Sequence, residues 1–142
     1  MRCEDLMTGE VGTVDVGEGV CSAARVMREL NVGLVPICQR NGVVVGVLTD
    51  RDITIRVVAE GRSPDTRVEE AMSEDLVACL PEADIGEAER LMLAYQVSRV
   101  LLIDDDGRLS GVISITDLAQ VEDARKFGQM FGDISVREAG TY

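Results

Sequence analysis

Gly46-Val47-Leu48-Thr49-Asp50-Arg51-Asp52 returns 65 residues later as Gly111-Val112-Ile113-Ser114-Ile115-Thr116-Asp117. Working outward from this pair, the same shift lays residues 2–53 on residues 67–118 without a gap. Identities fall at Arg2/Arg67, Glu4/Glu69, Met7/Met72, Ala23/Ala88, Met27/Met92, Val35/Val100, Gly42/Gly107 and Asp52/Asp117. Thr8/Ser73, Thr49/Ser114 and Val20/Ile85 keep their chemical type. Self-similarity at one fixed period marks a duplicated supersecondary unit. Residues 54–66 join the copies, and residues 119–142 follow as a tail.

Each copy predicts the same elements. Val20, Ala23, Ala24 and Met27 are spaced for one helix face, as are Ile85, Ala88, Met92 and Tyr95 in the second copy. Leu34–Cys38 and the valine-rich run from Val43 to Leu48 flank Asn41-Gly42, which predicts a hairpin because both turn residues accept positive φ. Asp106-Gly107 plays that part between Val100–Ile103 and Leu109–Ile113. A second helix is expected from Asp50 to about Glu60, and from Thr116 to about Arg125. Short strands are expected near Thr13–Val16 and Ala78–Leu80. The fold class is α+β: two β-α-β-β-α units, each too small to be secure alone, packed sheet to sheet with pseudo-twofold symmetry.

Composition narrows the chemistry. The 142 residues are 46% hydrophobic and 28% charged, which reads as globular. Histidine is absent, which removes His bases, Ser–His triads and His-containing zinc sites. A net charge of −12 repels a nucleic-acid backbone, so no nucleic-acid partner is expected. No apolar run reaches membrane-span length and no signal-like start opens the chain, so a cytoplasmic protein with no membrane partner is expected. Cys3, Cys21, Cys38 and Cys79 lack CxxC spacing and read as buried, reduced thiols, with no metal site. Asp104-Asp105-Asp106-Gly107 fails as a calcium loop because its twelfth position is Ile115, where a bidentate Glu is needed.

The quoted stretches carry two readings. Thr49 and Ser114 stand where a strand gives way to a helix, and Asp52 and Asp117 stand three residues on, the pattern of a capping box. Alternatively, a carboxylate and a hydroxyl at a strand's carboxyl end grip a ribose diol, as the acidic residue of dinucleotide folds does. Charge is uneven between the copies: net −3 over residues 2–53, net −8 over residues 67–118. Arg51, Arg56 and Arg62 form the one basic cluster of the sequence, either a solvated face or the phosphate side of a nucleotide site.

These motifs, with the openings Asp5-Leu6-Met7-Thr8 and Glu70-Ala71-Met72-Ser73, resemble a tandem pair of CBS domains. The resemblance covers residues 2–121 and is closest to small stand-alone bacterial CBS pairs. It implies a first CBS domain at 2–60, a second at 67–125 and a tail at 126–142. It further implies clefts between the repeats that bind AMP, ADP, ATP or S-adenosylmethionine, regulation of a partner protein, and a flat homodimer. Ribose contacts then fall to Asp52 and Asp117, with Thr49, Arg51, Ser114 and Thr116 beside them. Adenine walls fall to Gly33, Leu34, Val35 and Pro36, to Ser98, Arg99 and Val100, and to Thr13 and Val14. Arg99 stands where the family often carries a phosphate contact; the first copy has Leu34 there. Leu101 replaces Pro36 in the second copy, a departure that bears on the shape of that pocket.

The expected function is therefore an adenosine-ligand sensor that needs no cofactor and catalyses nothing, since no nucleophile–base pair is visible. The alternative is a ligand-free dimeric interaction module. Because Arg51 and Arg56 follow Thr49 closely, a phosphorylated ligand is expected at the Asp52 site. The tail residues Phe127, Met130, Phe131 and Ile134 are spaced for a helix stripe that covers the module or a partner.

Overall fold

The computed structural model describes residues 1–121 and 124–141. Two three-stranded sheets form, one in each repeat. In the first, β1 (Val14–Asp15) runs parallel to β2 (Leu34–Cys38), which pairs antiparallel with β3 (Val44–Thr49). In the second, β4 (Ala78–Cys79), β5 (Arg99–Ile103) and β6 (Leu109–Ser114) repeat that order. The helices α1 (Val20–Leu30) and α3 (Ile85–Tyr95) carry the chain from the first strand of each sheet to the second. Each stops at a left-handed residue, Asn31 and Gln96, whose N–H returns to the carbonyl of Met27 or Met92.

Local detail departs from the sequence expectation in three places. Only the glycine of each hairpin turn takes positive φ, 86° at Gly42 and 80° at Gly107. Five-residue loops, 39–43 and 104–108, join the strands, each containing a turn in which Gly42 N–H donates to the Gln39 carbonyl or Gly107 N–H to the Asp104 carbonyl, and each followed by a bulged register. Ala24 and Tyr95 are exposed rather than buried, because Val20, Ala23 and Met27, or Ala88 and Met92, already fill each helix's inward face. The second helices are short: α2 is Asp50–Ile53 continued by a π-helical turn, Thr54–Val58, and α4 is Ile115–Leu118. After α4 the chain turns tightly, Gln120 N–H reaching the Asp117 carbonyl, before α5 (Ala124–Thr141) packs on α3 and α4.

The compact units in space do not follow the repeat boundaries. One is Val11–Leu76; the other is Met1–Glu10 together with Val77–Tyr142. Each repeat's opening segment thus belongs to the unit built on the other repeat. In the second-repeat unit, Thr8 and Val112 exchange backbone hydrogen bonds at 2.9 and 3.1 Å, and Cys3 N–H donates to Ala83. In the first-repeat unit, Ser73 and Val47 exchange theirs at 2.9 Å, and Val68 N–H donates to Glu18. A bridge of this kind satisfies a strand edge that a single copy leaves open.

Each unit has its own apolar core. Val14, Val35, Ile37, Leu48 and Val57 meet the exchanged Val68 and Ala71 in the first-repeat unit. Met92, Val100, Leu102, Ile113 and Leu118 meet Cys3 in the second, where Met130 and Ile134 of α5 join them. Phe131 of the expected stripe is half exposed, and the side chain of Phe127 lies outside the described residues. Lys126, the chain's only lysine, pins α5 to buried Glu89 of α3 at 2.8 Å. Among the described residues no helix is long and apolar enough to cross a membrane.

Candidate functional site

Each repeated stretch folds as a strand-to-helix turn with its polar groups bonded to one another within that turn. In the first-repeat unit, Thr49 caps α2: its hydroxyl accepts from Asp52 N–H at 3.1 Å, while Asp52 Oδ2 accepts from Thr49 N–H at 2.9 Å. Ser114 and Asp117 make the same reciprocal pair at 3.3 and 2.8 Å. The capping-box reading is therefore realised at both positions. It does not use up the carboxylates. One oxygen of each is engaged, and Oδ1 of each accepts no hydrogen bond from the described residues. Both aspartates are half-buried, so a fixed, partly desolvated acceptor stands at each strand end.

The register brings further residues named from the sequence to these turns. Leu34 pairs with Thr49, and the Gly33 carbonyl accepts Asp50 N–H at 2.9 Å. Arg99 pairs with Ser114, and the Ser98 carbonyl accepts Ile115 N–H at 2.9 Å. Thr116 Oγ1 lies 2.7 Å from Ser114 Oγ, which also donates to Asp117 Oδ2, so the second turn carries a linked hydroxyl pair. Other named residues face elsewhere. Val14, Val35 and Val100 are fully buried in their cores, so they present backbone alone. Pro36 is buried in β2, and Leu101 is buried at its place in β5. Thr13 is exposed just before β1, whose Val14 pairs with Ile37, three residues along β2 from Leu34.

Two features escaped the sequence. Asp50 lies against Gly33: a Cβ there would stand 3.2 Å from Asp50 Oδ2, while Asp50 Oδ1 accepts Arg51 N–H at 2.9 Å. Ile115 takes that place in the second repeat and is buried, so the first turn carries one more carboxylate than the second. The basic cluster is also largely committed. Arg56 donates to the carbonyls of Ala71 and Met72 at 2.9 and 3.2 Å, and Arg62 pairs with Glu70 at 2.8 Å. This takes Arg56 out of the pair, Arg51 and Arg56, on which the sequence assigns a phosphorylated ligand to the Asp52 turn. Arg99, exposed and opposite Ser114, faces no such extra carboxylate within its own turn.

The CBS domain profile matches residues 3–59 and 68–123. The chain is 39% identical over 116 residues to the CBS domain-containing protein YhcV of Bacillus subtilis, covering 82% of this chain and 81% of that one. A crystal structure of hypoxic response protein I with two coordinated zinc ions has a TM-score of 0.75 at 34% identity, covering 87% of this chain and 100% of that one. Among the described residues here, no three His, Cys, Asp or Glu side chains converge as a metal site. The CBS domain pair of protein MJ0100, solved with 5-methylthioadenosine and S-adenosyl-L-methionine, has a TM-score of 0.75 at 21% identity, a likeness of fold covering 85% of this chain and 98% of that one.

Proposed function

The chain belongs to the CBS-domain family, and from that premise we propose that it is a regulatory module that senses an adenosine-containing ligand. The observation that carries this reading is the pair of half-engaged carboxylates, Asp52 and Asp117, each fixed by a cap and each keeping one oxygen that accepts no hydrogen bond from the described residues. A carboxylate held in this way accepts both hydroxyls of a ribose without reorganising, the role of the acidic residue in dinucleotide folds. Adenosine ligands bound to a protein of the same fold support the choice of nucleoside.

Phosphate falls to the second-repeat turn, where Arg99, Ser114 and Thr116 supply donors. The first-repeat turn, with Asp50 beside Gly33, suits an uncharged or cationic adenosine group. Net charge of −12 opposes a triphosphate, and screening over ~8 Å at physiological salt weakens that field without erasing it. Calorimetric titration with AMP, ADP, ATP and S-adenosylmethionine, without Mg²⁺ and at two salt concentrations, is expected to show AMP or S-adenosylmethionine bound more tightly than ATP. ATP binding should strengthen as salt rises. ATP ahead of AMP at low salt would contradict the charge argument, and no heat from any of the four would favour a ligand-free interaction module. The same reading carries a C2 homodimer through the helices of both repeats, supported by exposed Leu30, Ile55 and Val58 in the first and Leu93 and Tyr95 in the second; a one-chain mass in light scattering would overturn it.

A further inference from the structure

In the second-repeat unit Cys3 and Cys79 are buried in one core, where each thiol acts on the titration of the other. Cys3 stands in the single 3-10 turn Cys3–Asp5 of the opening segment; Cys79 ends β4. Cys3 Sγ also lies 3.7 Å from the Asp84 carbonyl, to which it donates. Packing by itself does not call for sulfur here. The 65-residue shift sets Val68 at the place of Cys3 and Val14 at the place of Cys79, and both valines are buried in the first-repeat core. The same two positions in the fold are thus filled by valines in one unit and by neighbouring thiols of one core in the other. Cys21 and Cys38, by contrast, belong to neither core cluster and make no such pair among the described residues.

We propose that Cys3 and Cys79 are a reversible disulfide site that fastens the opening segment to the second-repeat sheet when the chain meets an oxidised low-molecular-weight disulfide such as oxidised glutathione. The closed core protects the pair. Both sulfurs are buried, and burial pushes both thiols up, Cys79 to about 12, so neither is a thiolate at neutral pH while the segment is docked. Reaction begins when the segment lifts. The Cys3 thiol loses its proton and attacks one sulfur of glutathione disulfide, forming a mixed disulfide and releasing one glutathione thiolate. As the segment returns, the Cys79 thiol loses its proton and attacks the Cys3 sulfur. The Cys3–Cys79 bond forms and the second glutathione leaves. Two protein thiols are oxidised, one small disulfide is reduced to two thiols, and the two protons pass to the released thiolates. The bond links residues far apart in sequence, the case in which a cross-link constrains the unfolded chain most.

The test incubates the full chain across a series of glutathione redox ratios, quenches with an alkylating agent and maps the thiols by peptide mass spectrometry. The expected product is a Cys3–Cys79 cross-linked peptide, with Cys21 and Cys38 alkylated or glutathionylated. Amide exchange in residues 2–8 should slow on oxidation, and the melting temperature should rise. Cys3→Val and Cys79→Val, which install the residues used by the first-repeat unit, should fold and show neither change. Persistent glutathione adducts on Cys3 or Cys79, cross-links through Cys21 or Cys38, thiols unreactive at every ratio, or a cross-link without slower exchange would each overturn the proposal.

Discussion

Gly111→Ala is expected to lower the stability of the second-repeat unit by about 1–3 kcal/mol, the usual scale of overpacking. The reason is the exchanged segment. A Cβ on Gly111 would stand 2.7 Å from Met7 Sδ and 2.7 Å from the Thr8 carbonyl oxygen. The thioether can swing away, but the carbonyl belongs to a backbone that bridges Thr8 to Val112 through two hydrogen bonds. Relief therefore comes by displacing the segment and weakening that bridge. Gly46→Ala should act alike in the first-repeat unit, where the same approach is 2.5 Å to Met72 Sδ and 2.9 Å to the Ser73 oxygen. Gly9→Ala is the control, because nothing lies within 4 Å of its added methyl. Urea unfolding followed by circular dichroism reads the difference, tryptophan being absent from the chain. Equal midpoints for Gly111→Ala and Gly9→Ala would show that the close approach does not limit packing.

Asp117→Asn is expected to weaken AMP binding by about tenfold to over a hundredfold, the equivalent of losing a charge-assisted hydrogen bond. Stability should change little. The amide oxygen of Asn still accepts Ser114 N–H, now drawn at 2.8 Å from the carboxylate, so the cap survives without its charge. What is lost is the second acceptor, replaced by an NH₂ that presents hydrogen to the ribose hydroxyls. Asp52→Asn should affect AMP less than Asp117→Asn, because Arg99 serves the second turn while Arg56 and Arg62 are held by Ala71, Met72 and Glu70. Loss of AMP binding with Asp52→Asn and none with Asp117→Asn would reverse the assignment.

Sequence alone carried the features that local chemistry writes down. The two sheets follow from valine-rich runs around Asn41-Gly42 and Asp106-Gly107, and the two caps follow from a hydroxyl three residues before an aspartate. Features decided by long-range geometry stayed hidden. Met7/Met72 and Gly46/Gly111 were visible as repeated pairs, but nothing in their spacing says that each methionine meets the other repeat's glycine. Arg56 follows Asp52 by four residues, yet its long side chain ends on carbonyls fifteen and sixteen residues away. Sequence proximity suggested a phosphate ligand; reach and competition between acceptors made it a structural tie. Likewise the extra carboxylate at Asp50 gained its meaning only when Gly33 was found beside it.

The ribose assignment is tested most directly by calorimetry of the unaltered chain with AMP, 2′-deoxy-AMP and 3′-deoxy-AMP, repeated on Asp117→Asn. If Asp117 grips the diol, removing either hydroxyl should weaken binding by about tenfold or more in the unaltered chain and far less in the variant, because the partner is already gone. AMP and its deoxy forms binding with equal affinity to the unaltered chain would contradict it.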